Sequence, residues 1–206
     1  MDRRVRKTRE SLKTALIILL AEKDFKTVTV HDITEKADVN RGTFYHHYYD
    51  KYDLLEKTIE EMTEQLKNSV ASHEDKEFEF EIAPNPNEAK SGEVTSKPFV
   101  RLFRHIQKEK RFYESMFSPN VFQYFYPRFI EVLYSYFENG FEQRLNKHAV
   151  KVDKRLMIHY VLFANLGILR CWIQDGMKQS PEYMGDQLKM LLMMTPFEFR
   201  EQSAKS

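Results

Sequence analysis

Turn-forming and cross-linking residues are scarce in this chain, and each shortage excludes something. There are six glycines and seven prolines among 206 residues. With long patterns of period 3.6 and no convincing strand alternation, that scarcity implies an all-α fold. A single cysteine, Cys171, excludes an intramolecular disulfide framework and fits a reducing cytosol, so a cytoplasmic location is expected. Charge of one sign is missing too: 32 basic against 31 acidic residues leave a formal charge of +1. A bulk polycation is thereby ruled out, and any nucleic acid must be met by local basic charge. No run of about eighteen consecutive apolar residues exists, so no membrane span is expected. The N-terminal MDRRVRKTRE is basic but flows into an amphipathic helix, without a signal-peptide core and cleavage site. There is no internal repeat.

What is present is a core-forming composition, 42% hydrophobic and 14% aromatic, in a chain long enough for one large or two small domains. The most informative stretch is Thr29 to Leu55. Val30, Ile33, Thr34 and Ala37 fall at helical spacing, with Thr29 as N-cap and Asp32 in the first turn. Asp38-Val39-Asn40 breaks the pattern. Asp38 tolerates the left-handed conformation, Val39 plugs the space between helices, and Asn40 caps a second helix from Arg41 to about Tyr48. On that helix Phe44 and Tyr48 lie inward, while Arg41, Gly42, Thr43, Tyr45, His46 and His47 fill the other positions. Two helices joined this way, the second with short polar side chains on its outer side, make a helix-turn-helix whose second helix reads the major groove. On spacing alone an ordinary helical hairpin competes with that reading.

Chemistry of other kinds finds little support. His46 and His47 point about 100° apart on a helix and cannot easily share a metal. His105, His148 and His159 have no Cys or acidic partners at ligand spacing. No glycine-rich phosphate loop, paired-histidine motif or nucleophile elbow occurs, and Glu109, Glu114 and Glu131 read as helix-surface residues. No catalysis, cofactor or metal is expected.

The run from Ala37 to Tyr48, ADVNRGTFYHHY, followed by DKYDLL from Asp50 to Leu55, resembles the signature of the TetR family of transcriptional regulators. That family typically shows Ala-Gly-Val-Ser, a basic residue, Gly-Thr, an apolar residue, Tyr, aromatic or His positions, then a Lys opening the next helix. Asp38, Asn40 and Tyr48 depart from the pattern in chemically mild ways. The resemblance covers roughly the first quarter of the chain; beyond it the likeness is one of helical architecture. It implies a three-helix N-terminal head over 1–50 and a larger helical effector-binding and dimerisation domain over 51–206. It also implies a homodimer on a palindromic double-stranded operator, regulated by a small molecule. A repressor released by a hydrophobic or aromatic effector is the first expectation. An activator, or a regulator that binds a protein partner, is the alternative.

The candidate DNA contacts are Arg3, Arg4 and Arg6 of a basic arm, then Arg41, Gly42, Thr43, Tyr45 and His46 of the reading helix. The arm is expected to track phosphates or enter the minor groove, the competing reading being a solvated tail. Arg41 suits a bidentate contact to guanine or phosphate. Thr29, Tyr48 and Lys51 are carried over from the family pattern as phosphate clamps, Tyr48 alternatively filling the core.

Further along, the first helix is expected over Thr8–Lys23 and the fourth from Lys51, the latter linking the two domains. The stretch 73–97 is acidic, then rich in Pro, Asn and Ser, and reads as a loop. Helices then follow around Phe99–Ile106 and Phe112–Phe117. The next runs from a Ser118-Pro119 start to about Leu145, with Pro127 kinking or splitting it. The eighth spans Val152–Asp175 and the ninth opens at Ser180-Pro181. Family architecture suggests an effector pocket among Met62, Leu66, Phe103, Tyr113, Phe122, Tyr126, Phe129 and Phe163. It pairs the last two helices across a dimer, here through Tyr160, Ala164, Gly167, Cys171, Leu188, Leu191 and Leu192.

Overall fold

In the computed structural model, residues 3–70, 96–145 and 153–193 are described, without the side chains of 136–145, 154 and 192–193. The elements are α1 (Arg3–Glu22), α2 (Val30–Ala37), α3 (Arg41–His47), α4 (Lys51–Val70), α5 (Lys97–Lys108), α6 (Lys110–Met116), α7 (Phe122–Leu145), α8 (Lys154–Gln174) and α9 (Pro181–Met193). No strand occurs among the described residues, and the all-α expectation holds. The loop expected at 73–97 lies outside the described residues except for Ser96 and Lys97.

Two boundaries differ from the sequence reading, and Pro127 does not split its helix. α1 begins at Arg3 instead of Thr8. Val5, Thr8 and Arg9 are half-buried ahead of buried Leu12, so the inward stripe already runs through the basic segment. Arg and Lys are good helix formers, and Thr8 Oγ1 donates back to Arg4 O at 3.1 Å. α7 begins at Phe122, after a turn in which Ser118 O accepts from Val121 N and Phe122 N at 3.3 and 3.0 Å. Pro119 therefore sits in that turn, not at the first helical position. Pro127 lies inside α7 without ending it; it is exposed, and buried Phe125 and Phe129 hold the helix on the opposite side.

The chain forms two compact units. The first comprises, of the described residues, 3–65 and 109–131. Leu12, Leu16 and Leu20 of α1 are buried, as are Phe25, Ile33, Phe44 and Leu54. α6 belongs here because it packs on α1, where Ser115 Oγ donates to Ile17 O at 3.2 Å. Around it Phe112, Tyr113, Phe117, Phe125 and Phe129 interlock, mostly edge to face, with Phe125 and Phe129 stacked at 4.8 Å.

The second unit comprises 66–108 and 132–193 of the described residues. Among the described residues, α5 and α9 pack closely on each other. Gly185 makes that approach possible, since a Cβ there would stand 2.9 Å from the backbone N of Val100. Phe103 meets Trp172 edge to face at 5.0 Å, and Trp172 Nε1 donates to Gln179 O at 3.1 Å. Asp153 caps α8 by accepting from Arg155 N and Leu156 N. By length and composition alone, Arg155–Gln174 could cross a bilayer, although it contains no unbroken apolar run of that length. Its inner side is core, with Ile158, Leu162, Leu169 and Trp172 buried, and helices buried in soluble proteins meet the same criterion.

Gly185→Ala should therefore lower stability by about 2 kcal/mol through overpacking against Val100. Urea denaturation checks this; an unchanged midpoint would show that α9 can shift away from α5 at little cost.

Candidate nucleic-acid interface

The head is built from a sequence of caps. Thr29 Oγ1 accepts from Asp32 N at 3.1 Å and Thr29 N donates to Asp32 Oδ2 at 2.7 Å, a reciprocal capping box at the start of α2. Lys23 Nζ also donates to Asp32 Oδ2, at 2.8 Å. That bond first, then the donors from Thr29, holds the Asp32 carboxyl well below its usual range. α2 ends at Asp38 in the left-handed conformation (φ 53°, ψ 49°). Asp38 N donates to Glu35 O, and Val39 N donates to Thr34 O at 3.0 Å. Asn40 then caps α3, its Oδ1 accepting from Gly42 N at 2.7 Å. A Cβ on residue 42 would crowd that oxygen at 3.3 Å, so Gly42 lets the cap close.

With the turn closed, periodicity decides the faces of α3. Phe44 is fully buried. Arg41, Gly42, Thr43, Tyr45 and His46 are exposed. Arg41 Nη2 donates to Tyr45 Oη at 3.2 Å, and its guanidinium lies 5.6 Å from the Tyr45 ring. The pair is thus pre-arranged on the outer side, where a guanidinium can present its fork to guanine or phosphate. His46 and His47 stand ring to ring at 5.3 Å. Burial, then the neighbouring His46 and Arg9 charges, lowers the His47 pKa and favours its neutral form.

Other candidates fall differently. Tyr48 is in the core, not on the outer face. Its hydroxyl accepts from Arg9 Nε at 3.3 Å, and Lys57 lies 5.4 Å from its ring. Of the two readings open for Tyr48, the core one is correct. Arg3, Arg4 and Arg6 are exposed, but on the first turns of α1 and not on an extended arm. Thr29 is exposed, with its oxygen serving as the cap.

Lys51 is the largest departure. Its Nζ donates to Phe25 O, Lys26 O and Val28 O at 2.9, 2.9 and 2.8 Å, and it sits 4.9 Å from the Phe25 ring. All three ammonium protons are engaged, so the side chain clamps the loop between α1 and α2 and has no proton left over for the phosphate expected there. Burial lowers its pKa, opposed by the Asp24, Asp32 and Asp50 carboxylates. One signal in the sequence points this way: a cation at the N-terminal end of a helix opposes the dipole and calls for compensating acceptors. The sequence reading also passed over Tyr49, which is 85% exposed directly after α3, its N–H donating to Asp53 Oδ2 at 2.8 Å.

The expected effector-pocket residues are distributed over both units. Met62, Tyr113 and Phe129 are buried in the first unit, where Phe122 and Tyr126 are half-buried and face each other at 5.1 Å. Leu66 and Phe103 are buried in the second. Phe163 is 50% exposed and stacks on His159 at 6.2 Å, so it lies outside the core. Of the expected dimer residues, Tyr160, Ala164, Gly167, Cys171 and Leu191 are exposed, with Tyr160 at 72%. Leu188 is buried within its own chain and leaves that set. The Leu192 side chain lies outside the described residues.

Two capped helices joined by a three-residue turn, with the second presenting a polar outer face, define a helix-turn-helix protein. Residues 14–58 match the model for bacterial regulatory proteins of the tetR family, and residues 94–194 match a transcriptional regulator C-terminal region. The chain belongs to the TetR family. It is 28% identical over 195 residues to an uncharacterised HTH-type transcriptional regulator, YxbF, of Bacillus subtilis strain 168. That match takes in 93% of this chain and 46% of that protein, so the chain spans about half the length of this relative. A shorter match, 42% over 48 residues, joins it to the transposon Tn10 TetC protein of Escherichia coli, covering 23% and 24% of the two chains. A solved TetR transcriptional regulator from Streptococcus agalactiae 2603V shares the fold with TM-score 0.64 at 22% identity, over 93% of this chain and 96% of that one.

Replacing Lys51 by Met should cost about 2 kcal/mol of stability, the range for hydrogen bonds to a charged group. Binding to nonspecific duplex, titrated against salt, separates the two roles. A structural clamp leaves the slope of log affinity on log salt unchanged, whereas a lost phosphate contact lowers it by about 0.9.

Proposed function

We propose that the protein acts as a homodimer in the cytoplasm. Its two α3 helices would enter successive major-groove segments of a palindromic operator, roughly 34–36 Å apart. The observation that carries this reading is the outer side of α3, where Arg41, Thr43, Tyr45 and His46 stand exposed on a helix fixed by caps at its start and by Phe44 beneath. A single small head buries too little surface to hold a specific site, and two-fold repetition supplies the rest. The pairing surface is argued from α8. Leu156, Tyr160, Phe163, Ala164, Gly167 and Cys171 recur at helical spacing and are all exposed. A Cβ on residue 167 would meet nothing within 4 Å in its own chain, leaving room for a second helix.

The regulatory half of the proposal is repression relieved by a small hydrophobic or aromatic effector. Its support is the family's architecture and the aromatic content of the chain. An activator, or a regulator that binds a protein partner, would have the same fold, because the sign of control depends on where the operator lies relative to the promoter.

Selection of bound duplexes from random DNA tests the reading directly. On a selected duplex, Arg41→Ala should weaken binding by at least about 1 kcal/mol; an unchanged gel-shift titration would remove Arg41 from the interface. Phe163→Glu should turn the dimer into a monomer in sedimentation while leaving the circular dichroism spectrum intact, since the side chain is exposed within its own chain. A wild-type chain that sediments as a monomer at tens of micromolar would refute the pairing.

A further inference from the structure

A groove of about 450 Å³ opens in the first unit beside the N-terminal turns of α4 and α7. None of the residues expected to hold an effector lines it. Its walls are the rings of Tyr52 and Tyr124, 6.2 Å apart and inclined at 59°. Its rim carries Glu56 and Glu60 of α4 and Glu131 of α7. The one basic lining residue, Arg128, already donates to Glu131 Oε2 at 2.7 Å. Glu56 and Glu60 make no salt bridge within 4 Å among the described residues, although the Glu60 charge reaches Arg128 and helps raise its pKa. Two like charges one turn apart on a helix repel each other, a local conflict that a bound cation would relieve. Aromatic faces beside carboxylates favour a positive charge on an apolar body.

The groove is also joined to the head. Tyr52 and Tyr124 both pack edge to face on Phe25, at 5.1 and 5.3 Å. Lys51 Nζ lies 5.3 Å from the Tyr52 ring and holds the carbonyl of Phe25. A molecule that displaces either tyrosine thus presses on the residues that set the entry to α2.

We propose that the Tyr52–Tyr124 groove binds a small aromatic or alkyl-aryl cation, and that occupancy changes DNA affinity through Phe25 and the loop held by Lys51. The regulatory half rests on the DNA-binding reading; the binding half does not. Phenyltrimethylammonium is the probe, with benzenesulfonate and benzyl alcohol as anionic and neutral controls, titrated by calorimetry without DNA. The expected result is saturable one-to-one binding of the cation alone, weakened about tenfold in the E56Q/E60Q double variant and also weakened in Tyr124→Leu. Both glutamates are exposed, so the double variant keeps its fold. No saturable binding, equal binding of the sulfonate, or undiminished binding by the double variant would overturn the site. Saturating cation should then change affinity for nonspecific duplex at least about threefold. Cation binding with unaltered duplex affinity would overturn the regulatory half. Cation binding by a chain that holds no duplex would sink the DNA-binding reading and leave the groove standing.

Discussion

The ammonium of Lys51, surrounded by the carbonyls of Phe25, Lys26 and Val28, is the contact on which the geometry of the head rests. Those carbonyls belong to a connection between two helices, where Phe25 O also accepts from Val28 N at 3.2 Å. Part-buried carbonyls that lack a donor are costly. One side chain satisfies three of them and fixes where Thr29 begins the next helix. The Asp24, Asp32 and Asp50 carboxylates oppose the desolvation that lowers its pKa. The same cation faces the rings of Phe25 and Tyr52, so the loop, the start of α4 and the aromatic core are tied at one point.

From that point the rest of the head follows by short steps. The capping box places α2, the left-handed Asp38 turns the chain, and Asn40 starts α3. With Phe44 and Tyr48 drawn inward, the 3.6-residue period leaves Arg41 and Tyr45 one turn apart on the outside, where they hold each other. Order of that kind before binding reduces what must be immobilised on binding. Aromatic residues in the first unit and on α8 have opposite fates. Phe112, Phe125 and Phe129 interlock in a core, whereas Tyr160 and Phe163 stand in solvent on a helix whose other side is buried. The first set packs the core of the unit that includes the head, and the second is a surface suited to a second copy.

Much of the head was legible in the residues, because its signals are local. Thr29 with Asp32, Asp38, Asn40 and the placement of Phe44 are all decided within four residues of chain, and each was readable. The aromatic residues were legible as aromatic but not as wall or core. Whether Phe163 faces a pocket or solvent depends on which helix lies against it, and α8 is apolar nearly all round. Leu188 was misread for the same reason: it occurs on an apolar stripe whose inner side only packing selects.

Local pattern by itself determined the helical class, the turn and the exposed face of α3, since caps and helical period act between near neighbours in sequence. Only the tertiary structure decided what Lys51, Tyr48 and the basic first turns of α1 do. Their partners are distant in sequence, Lys51 reaching back 26 residues to Phe25 and Arg9 meeting Tyr48 across 39. A side chain's donors are spent on whatever the fold brings near, and no spacing rule within one helix can say what that will be.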